Sequence, residues 1–95
     1  MNIKGYMFEG PFDYEKGFEG VVACVYAVVS DKKLIYVGMT QDLNERMNNH
    51  HRKDCWKMKT SDSNVLYVRQ ISQSAERQRV ERELINYFSP TCNQL

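Results

Sequence analysis

Glu81 is the residue of this 95-residue chain whose position packing explains least. On a helix advancing about 100° per residue, Val80, Leu84, Phe88, Ile85 and Tyr87 mark out one apolar arc, and Glu81 falls inside it, about 100° round from Val80. Its neighbours Arg82 and Glu83 fall outside the arc and can reach water. An ionised carboxylate in such an arc costs on the order of several kcal/mol unless a cation or a metal meets it. Arg77, one turn earlier on the same face, could supply the cation, and then Glu81 would be a structural ion pair. Two phenols, Tyr26 and Tyr36, form a second group, and Arg46 and His50, four residues apart, a third. Between Arg46 and Lys59 the basic residues Arg46, Arg52, Lys53, Lys57 and Lys59 face Asp54 alone, with His50 and His51 beside them. That segment attracts anions if folding holds it together, and is otherwise a solvated helix end.

The elements that must position these groups can be read from apolar patterning. Val21 to Val29 is β-branched and apolar on both faces, Ser30 to Lys33 makes a turn, and Leu34 to Gly38 resumes, which predicts a hairpin. A turn centred near Asp31 and Lys32 brings Tyr26 opposite or diagonal to Tyr36. Capping oxygens at Thr40 and Asp42 open a helix running to about Arg52, which places Leu43 and Met47 on one stripe and Arg46 and His50 on the next. A polar loop follows around Trp56 to Ser63, then a third strand over Val65 to Ile71, then a helix from Ser74 to Phe88 that Pro90 closes. Residues 1–20, with four glycines and five aromatics but no clean period, are expected to be an irregular arm that packs on the domain or on a partner; Ile3 to Phe8 could form an edge strand. The expected division is therefore an aromatic-rich arm, 1–20, and a domain, 21–95.

Composition narrows the functional classes. Thirteen basic against twelve acidic residues leave a net charge of +1, far from the profile of a protein held mainly by phosphates, although the acidic excess is confined to the first 20 residues. No run approaches the roughly 18 apolar residues of a membrane span, and no secretory signal pattern opens the chain. Three widely spaced cysteines, Cys24, Cys55 and Cys92, argue for reduced packing thiols rather than a disulfide framework, so a cytoplasmic location is expected. His50, His51 and Cys55 lie close in sequence, but a structural zinc site wants four ligands in paired short spacings, which the remaining cysteines do not provide.

Cys24-Val25-Tyr26, Tyr36-Val37-Gly38, Leu43, Arg46, His50, Glu81 with Leu84-Ile85, Pro90 and Asn93 resemble, in order and spacing, the motif set of the GIY-YIG nuclease family. The resemblance covers Val21 to Asn93. Cys24 stands for the glycine, and Val25 and Val37 for the isoleucines, of the two name-giving tripeptides, while both tyrosines are kept. The resemblance implies an α/β (α+β) domain, a three-stranded antiparallel sheet flanked by helices. It is to the small stand-alone members, homing-endonuclease-like or phage-borne, and so implies the cytoplasm of a bacterial or phage-infected host cell.

The function so implied is metal-dependent DNA endonuclease activity, nicking or double-strand cleavage, at a single-metal site. Glu81 would hold one Mg2+ or Mn2+ together with water and a substrate phosphate. Tyr26 would be the general base or orient the attacking water, and Tyr36 would hydrogen-bond the phosphate or the water. Arg46 would present its planar fork to a phosphate, and His50 would assist proton transfer or bind phosphate, with His51 left at the surface. Gly38 and Asn93 would support the site. Arg52, Lys53, Trp56, Lys57 and Lys59 form a basic segment with an aromatic that could track the DNA backbone and stack on a base, or Trp56 could simply fill the core. The partners implied are DNA and, for target choice, a homodimer or a targeting protein recruited through the arm. A catalytically silent nucleic-acid or protein-binding module is the alternative, against which the complete set of polar residues counts.

Overall fold

The first eight residues make a miniature hairpin, β1 (Asn2–Ile3) against β2 (Tyr6–Met7), reversed through Lys4 and Gly5, both at positive φ. Asn2 Oδ1 accepts the Gly5 N–H at 2.8 Å and fixes the turn. A short strand β3 (Glu9–Phe12) follows, and then, after an irregular stretch, the apolar run predicted to pair with its neighbour does so as β4 (Cys24–Ser30) and β5 (Lys33–Thr40). Asp31 and Lys32 form the two-residue link, with φ of 50° and 64°, the left-handed pair whose twist matches that of the flanking strands. Beyond β5 come α1 (Leu43–Asn48), α2 (Lys53–Lys59), β6 (Leu66–Gln70), α3 (Ser74–Phe88) and a single 3₁₀ turn (Thr91–Asn93). This is a computed structural model, and it describes residues 1–50 and 52–94.

The main sheet is antiparallel with strand order β3-β6-β4-β5, so it has four strands rather than the expected three. The extra strand comes from the arm: Glu9 pairs with Val68 and Phe12 with Leu66. Strand β4, central and buried on both faces, alternates its side chains between two cores. Cys24, Tyr26 and Val28 join Tyr36, Leu43, Met47, Trp56 and Leu66 on the face covered by α1 and α2. Val25, Ala27 and Val37 join Val80 and Leu84 of α3 on the other, together with Ile3 and Phe8. The arm therefore packs on the domain, contributing both a strand and core side chains. Lys4 and Tyr6 also reach Glu83, at 3.2 and 2.9 Å, so Glu83, expected to point freely to water, is a docking point for the hairpin and its carboxyl titrates below the ordinary range.

Three other expectations are corrected, and one alternative falls away. The helix expected to run to Arg52 ends at Asn48, and a second helix stands where a loop around Trp56 was expected. The cause is tertiary: seven residues are too few to be helical on propensity, and α2 is held by burying Trp56 completely. Cys55 and Cys92, expected as reduced thiols, are joined in a disulfide that ties α2 to the 3₁₀ turn, leaving Cys24 as the free, buried cysteine, its thiol pushed up to about 12 by burial. Tyr87 and Phe88, assigned to the buried arc of the last helix, are 66% and 39% exposed because the core that α3 joins takes in Val80, Leu84 and Ile85 and not its last turn. The Arg77–Glu81 ion pair does not form: Arg77 Nη1 donates instead to the carbonyls of Ile71 and Ser72, both at 2.9 Å. Among the described residues no helix is long and apolar enough to cross a membrane.

Candidate active site

Three elements bring the polar residues to one end of the hairpin. On β4 and β5 the register pairs Tyr26 with Gly38 and Val28 with Tyr36, so the two tyrosines are diagonal neighbours on one face, ring centroids 6.1 Å apart. Gly38 is needed by its partner: a Cβ there would fall on the Tyr26 phenol oxygen and 3.0 Å from ring atom Cε2. His50 arrives from just beyond the end of α1. Its Nε2 lies 2.7 Å from Tyr26 Oη, and its ring stands edge-on to that of Tyr36 at 5.0 Å. The backbone N–H of Arg52 donates to His50 Nδ1 at 3.0 Å, which leaves the proton of a neutral ring on Nε2, aimed at Tyr26. Trp56 closes the pocket behind, 4.5 Å from the His50 ring and 5.5 Å from that of Tyr36.

With its proton on Nε2, His50 donates to Tyr26 Oη, and Tyr36 lies beside Tyr26 with ring centroids 6.1 Å apart. Tyr26 is 1% exposed and burial pushes its phenol far above the ordinary value, with only Arg46 acting against this. Tyr36 is 9% exposed; burial and the nearby Glu81 raise its pKa, while Tyr26, Arg52 and Arg46 lower it. Tyr26, expected to be the general base or to orient the attacking water, is walled in and engaged with His50, and Tyr36 is the less deeply buried of the two phenols.

Glu81 comes from α3, on the opposite face of the sheet, and meets the others at the edge of β5, close to the Met39 backbone. Burial raises its pKa; Arg46, Arg82 and Met39 pull it back. Two residues along the same edge, Asn93 accepts the Val37 N–H with Oδ1 and donates to the Val37 carbonyl with Nδ2, both at 2.8 Å. Asn93 thus completes the edge strand as a neighbouring strand would, and it acts at the backbone between Tyr36 and Gly38. Among the described residues no group of three or more His, Cys, Asp or Glu could hold a metal. A dedicated protein cage is therefore not what these residues offer. A single half-buried carboxylate beside an arginine instead fits an ion bound by one protein oxygen, waters and a substrate phosphate.

The basic segment is only partly at the site. Arg52 contributes through its backbone, Lys53 lies over the Tyr14 ring at 5.8 Å, and Lys57 pairs with Glu15 at 3.6 Å. The Lys59 carbonyl accepts from Ser30, at the far end of the hairpin. Trp56 is fully buried among Tyr14, Tyr36 and His50 and offers no face for a base, so its place is in the core. Of the grouping considered for zinc, Cys55 is consumed by the disulfide and His51 lies outside the described residues. Sequence reasoning missed the Arg52 N–H that orients His50, because a backbone contact carries no side-chain signature.

Residues 22–94 match the GIY-YIG catalytic domain, and the chain belongs to that nuclease family. Among solved structures the fold is similar to the GIY-YIG N-terminal endonuclease domain of UvrC from Thermotoga maritima bound to its catalytic divalent cation, magnesium. The two share 18% identity with a TM-score of 0.62, over 75% of this chain and 82% of that one. Point mutants of the same domain, also with a divalent cation bound, match at 16–17% identity, the same TM-score and 81–82% of their length. No curated protein sequence is significantly similar to this chain.

Proposed function

We propose that this protein hydrolyses DNA phosphodiester bonds at a site built on Tyr26, Tyr36, Arg46, His50 and Glu81. The observation that carries this reading is the cluster in which the Arg52 N–H orients His50, His50 Nε2 lies 2.7 Å from Tyr26 Oη, and Tyr36 stands beside Tyr26 within electrostatic reach of Glu81 and Arg46. In this reading Tyr36 receives the proton of the attacking water. Tyr26 and His50 stabilise the resulting negative charge by donating toward it, which offsets the high intrinsic pKa of a phenol. Arg46, exposed on α1, presents a planar, permanently charged fork to the phosphoryl oxygens or the leaving group. Glu81 would hold one divalent ion, magnesium or manganese, which when bound supplies positive charge against the phosphoryl oxygens and acidifies water. Asn93 and Gly38 keep the edge strand and the Tyr26 phenol in register.

One such site cuts one strand per encounter, so a double-strand break needs a dimer or a second attack. The near-neutral charge supports weak unaided affinity, with target choice supplied by a second copy or a partner protein. The test is incubation of supercoiled plasmid with the protein and its Glu81→Gln variant, in magnesium, in manganese and in chelator. Conversion to open circle or linear DNA by the wild type alone, and only with metal, is expected. Metal-independent cleavage, or equal cleavage by the variant, would overturn the site assignment.

A further inference from the structure

Arg77 is a buried cation without an acid. It is 6% exposed and faces the cavity beside the active site, and among the described residues no carboxylate lies within ion-pair distance of it. Nη1 serves the Ile71 and Ser72 carbonyls, and among the described residues no side-chain acceptor is hydrogen-bonded to the rest of this five-donor guanidinium. A guanidinium held on one side by two neutral carbonyls keeps its remaining donors and its charge available to an anion in the cavity it lines. The cavity, about 680 Å³, is lined on one side by Arg46 of α1 and its C-cap Asn49 and on the other by Ser74 and Arg77 of α3. Asp42 and Glu45 also line it. The Asp42 carboxylate is occupied in capping α1, accepting the Glu45 N–H at 3.3 Å.

We infer that Arg77 and Ser74, across the cavity from Arg46, bind a second phosphate of the nucleic-acid strand, next to the one being cleaved. Two arginines on opposite walls of one open groove suit a polyanion with regularly spaced charges, and the groove runs directly on from Arg46. This rests on the nuclease reading above. It adds a binding contact that sets how the strand lies, and assigns Arg77 no part in the chemistry.

The experiment measures binding of a fluorescent DNA duplex, with magnesium, from about 50 to 200 mM salt. The parent protein carries Glu81→Gln so that no cleavage intervenes, and Arg77→Met, Arg77→Lys and Ser74→Glu are added to it singly. Loss of one phosphate contact is expected to weaken Arg77→Met binding on the order of tenfold and to make its salt slope shallower by about one. Arg77→Lys, which keeps the charge, should retain the slope. Ser74 is exposed in the first turn of α3, where a glutamate suits the helix dipole, so Ser74→Glu should fold normally and bind several-fold more weakly. Parent-like affinity and slope in Arg77→Met and Ser74→Glu would overturn the subsite alone. Failure of the parent to bind DNA, together with no cleavage by the wild type, would overturn the nuclease reading and the subsite with it.

Discussion

Replacing Asn93 by alanine tests how the edge strand is held. Val37 is fully buried, and its N–H and carbonyl on the outer side of β5 are satisfied by one side chain, through two bonds of 2.8 Å. Truncation removes both partners at once. Each abandoned buried group costs about 1–3 kcal/mol, and because the strand is at the sheet edge, where water can partly replace the amide, the low end applies to each, about 2–3 kcal/mol together. At about 4–8 °C per kcal/mol for a domain of this size, the melting temperature should fall by roughly 10–20 °C. Asn93→Asp separates the two bonds. The introduced carboxylate can still accept the Val37 N–H but meets the carbonyl with a negative oxygen; protonated, it can donate again. That variant should therefore melt near the alanine variant at neutral pH and recover relative to it as the pH falls through the carboxyl range. Thermal unfolding by circular dichroism, run from acid to neutral pH on all three proteins, gives the answer. An alanine variant within about 2 °C of wild type would refute the claim that Asn93 stands in for a strand.

Further outcomes follow from the same geometry. Gly38→Ala should cost about 1–3 kcal/mol and most of the cleavage activity, because the new Cβ must displace a Tyr26 ring fixed by His50; wild-type melting and plasmid cleavage would show that the hairpin yields freely. Glu81→Gln should abolish cleavage yet raise the melting temperature of the metal-free protein. Burial holds the folded pKa of Glu81 above its ordinary 4.5, so ionisation works against the fold: the penalty is absent below the unfolded value and complete above the folded one. The stability gap between variant and wild type should therefore open as pH rises from acid to neutral, and a gap that is constant with pH would contradict this. Reducing the Cys55–Cys92 bond, which spans 37 residues, should destabilise the protein by up to about 4 kcal/mol; denaturant unfolding with and without reductant would expose an indifferent midpoint.

The hairpin and the last helix were legible because each carries its own period: β-branched residues on both sides of a turn, and an apolar arc bounded by Ser74 and Pro90. The convergence of Tyr26 and Tyr36 followed from that register. What escaped was non-local. Nothing in Glu9 to Phe12 signals a strand except the open edge of β6, more than fifty residues away, and Trp56 makes α2 a helix only because a pocket receives it. Likewise, Cys55 and Cys92 share no short spacing, and their partnership exists only once the chain has closed. Motif order likewise says nothing of which of the two phenols is the more deeply buried.

The region shared with the nuclease family starts at residue 22, whereas the core already includes Ile3 and Phe8. Ile3 and Phe8 seal the same core as Val80 and Leu84, one helical turn from Glu81, and Glu83 anchors the hairpin that carries them. A chain trimmed to the shared boundary would lose the plug over the back of the helix that carries Glu81 and uncover an unpaired β6 edge beside bare apolar surface. Such a fragment would be expected to self-associate rather than to act as a minimal nuclease.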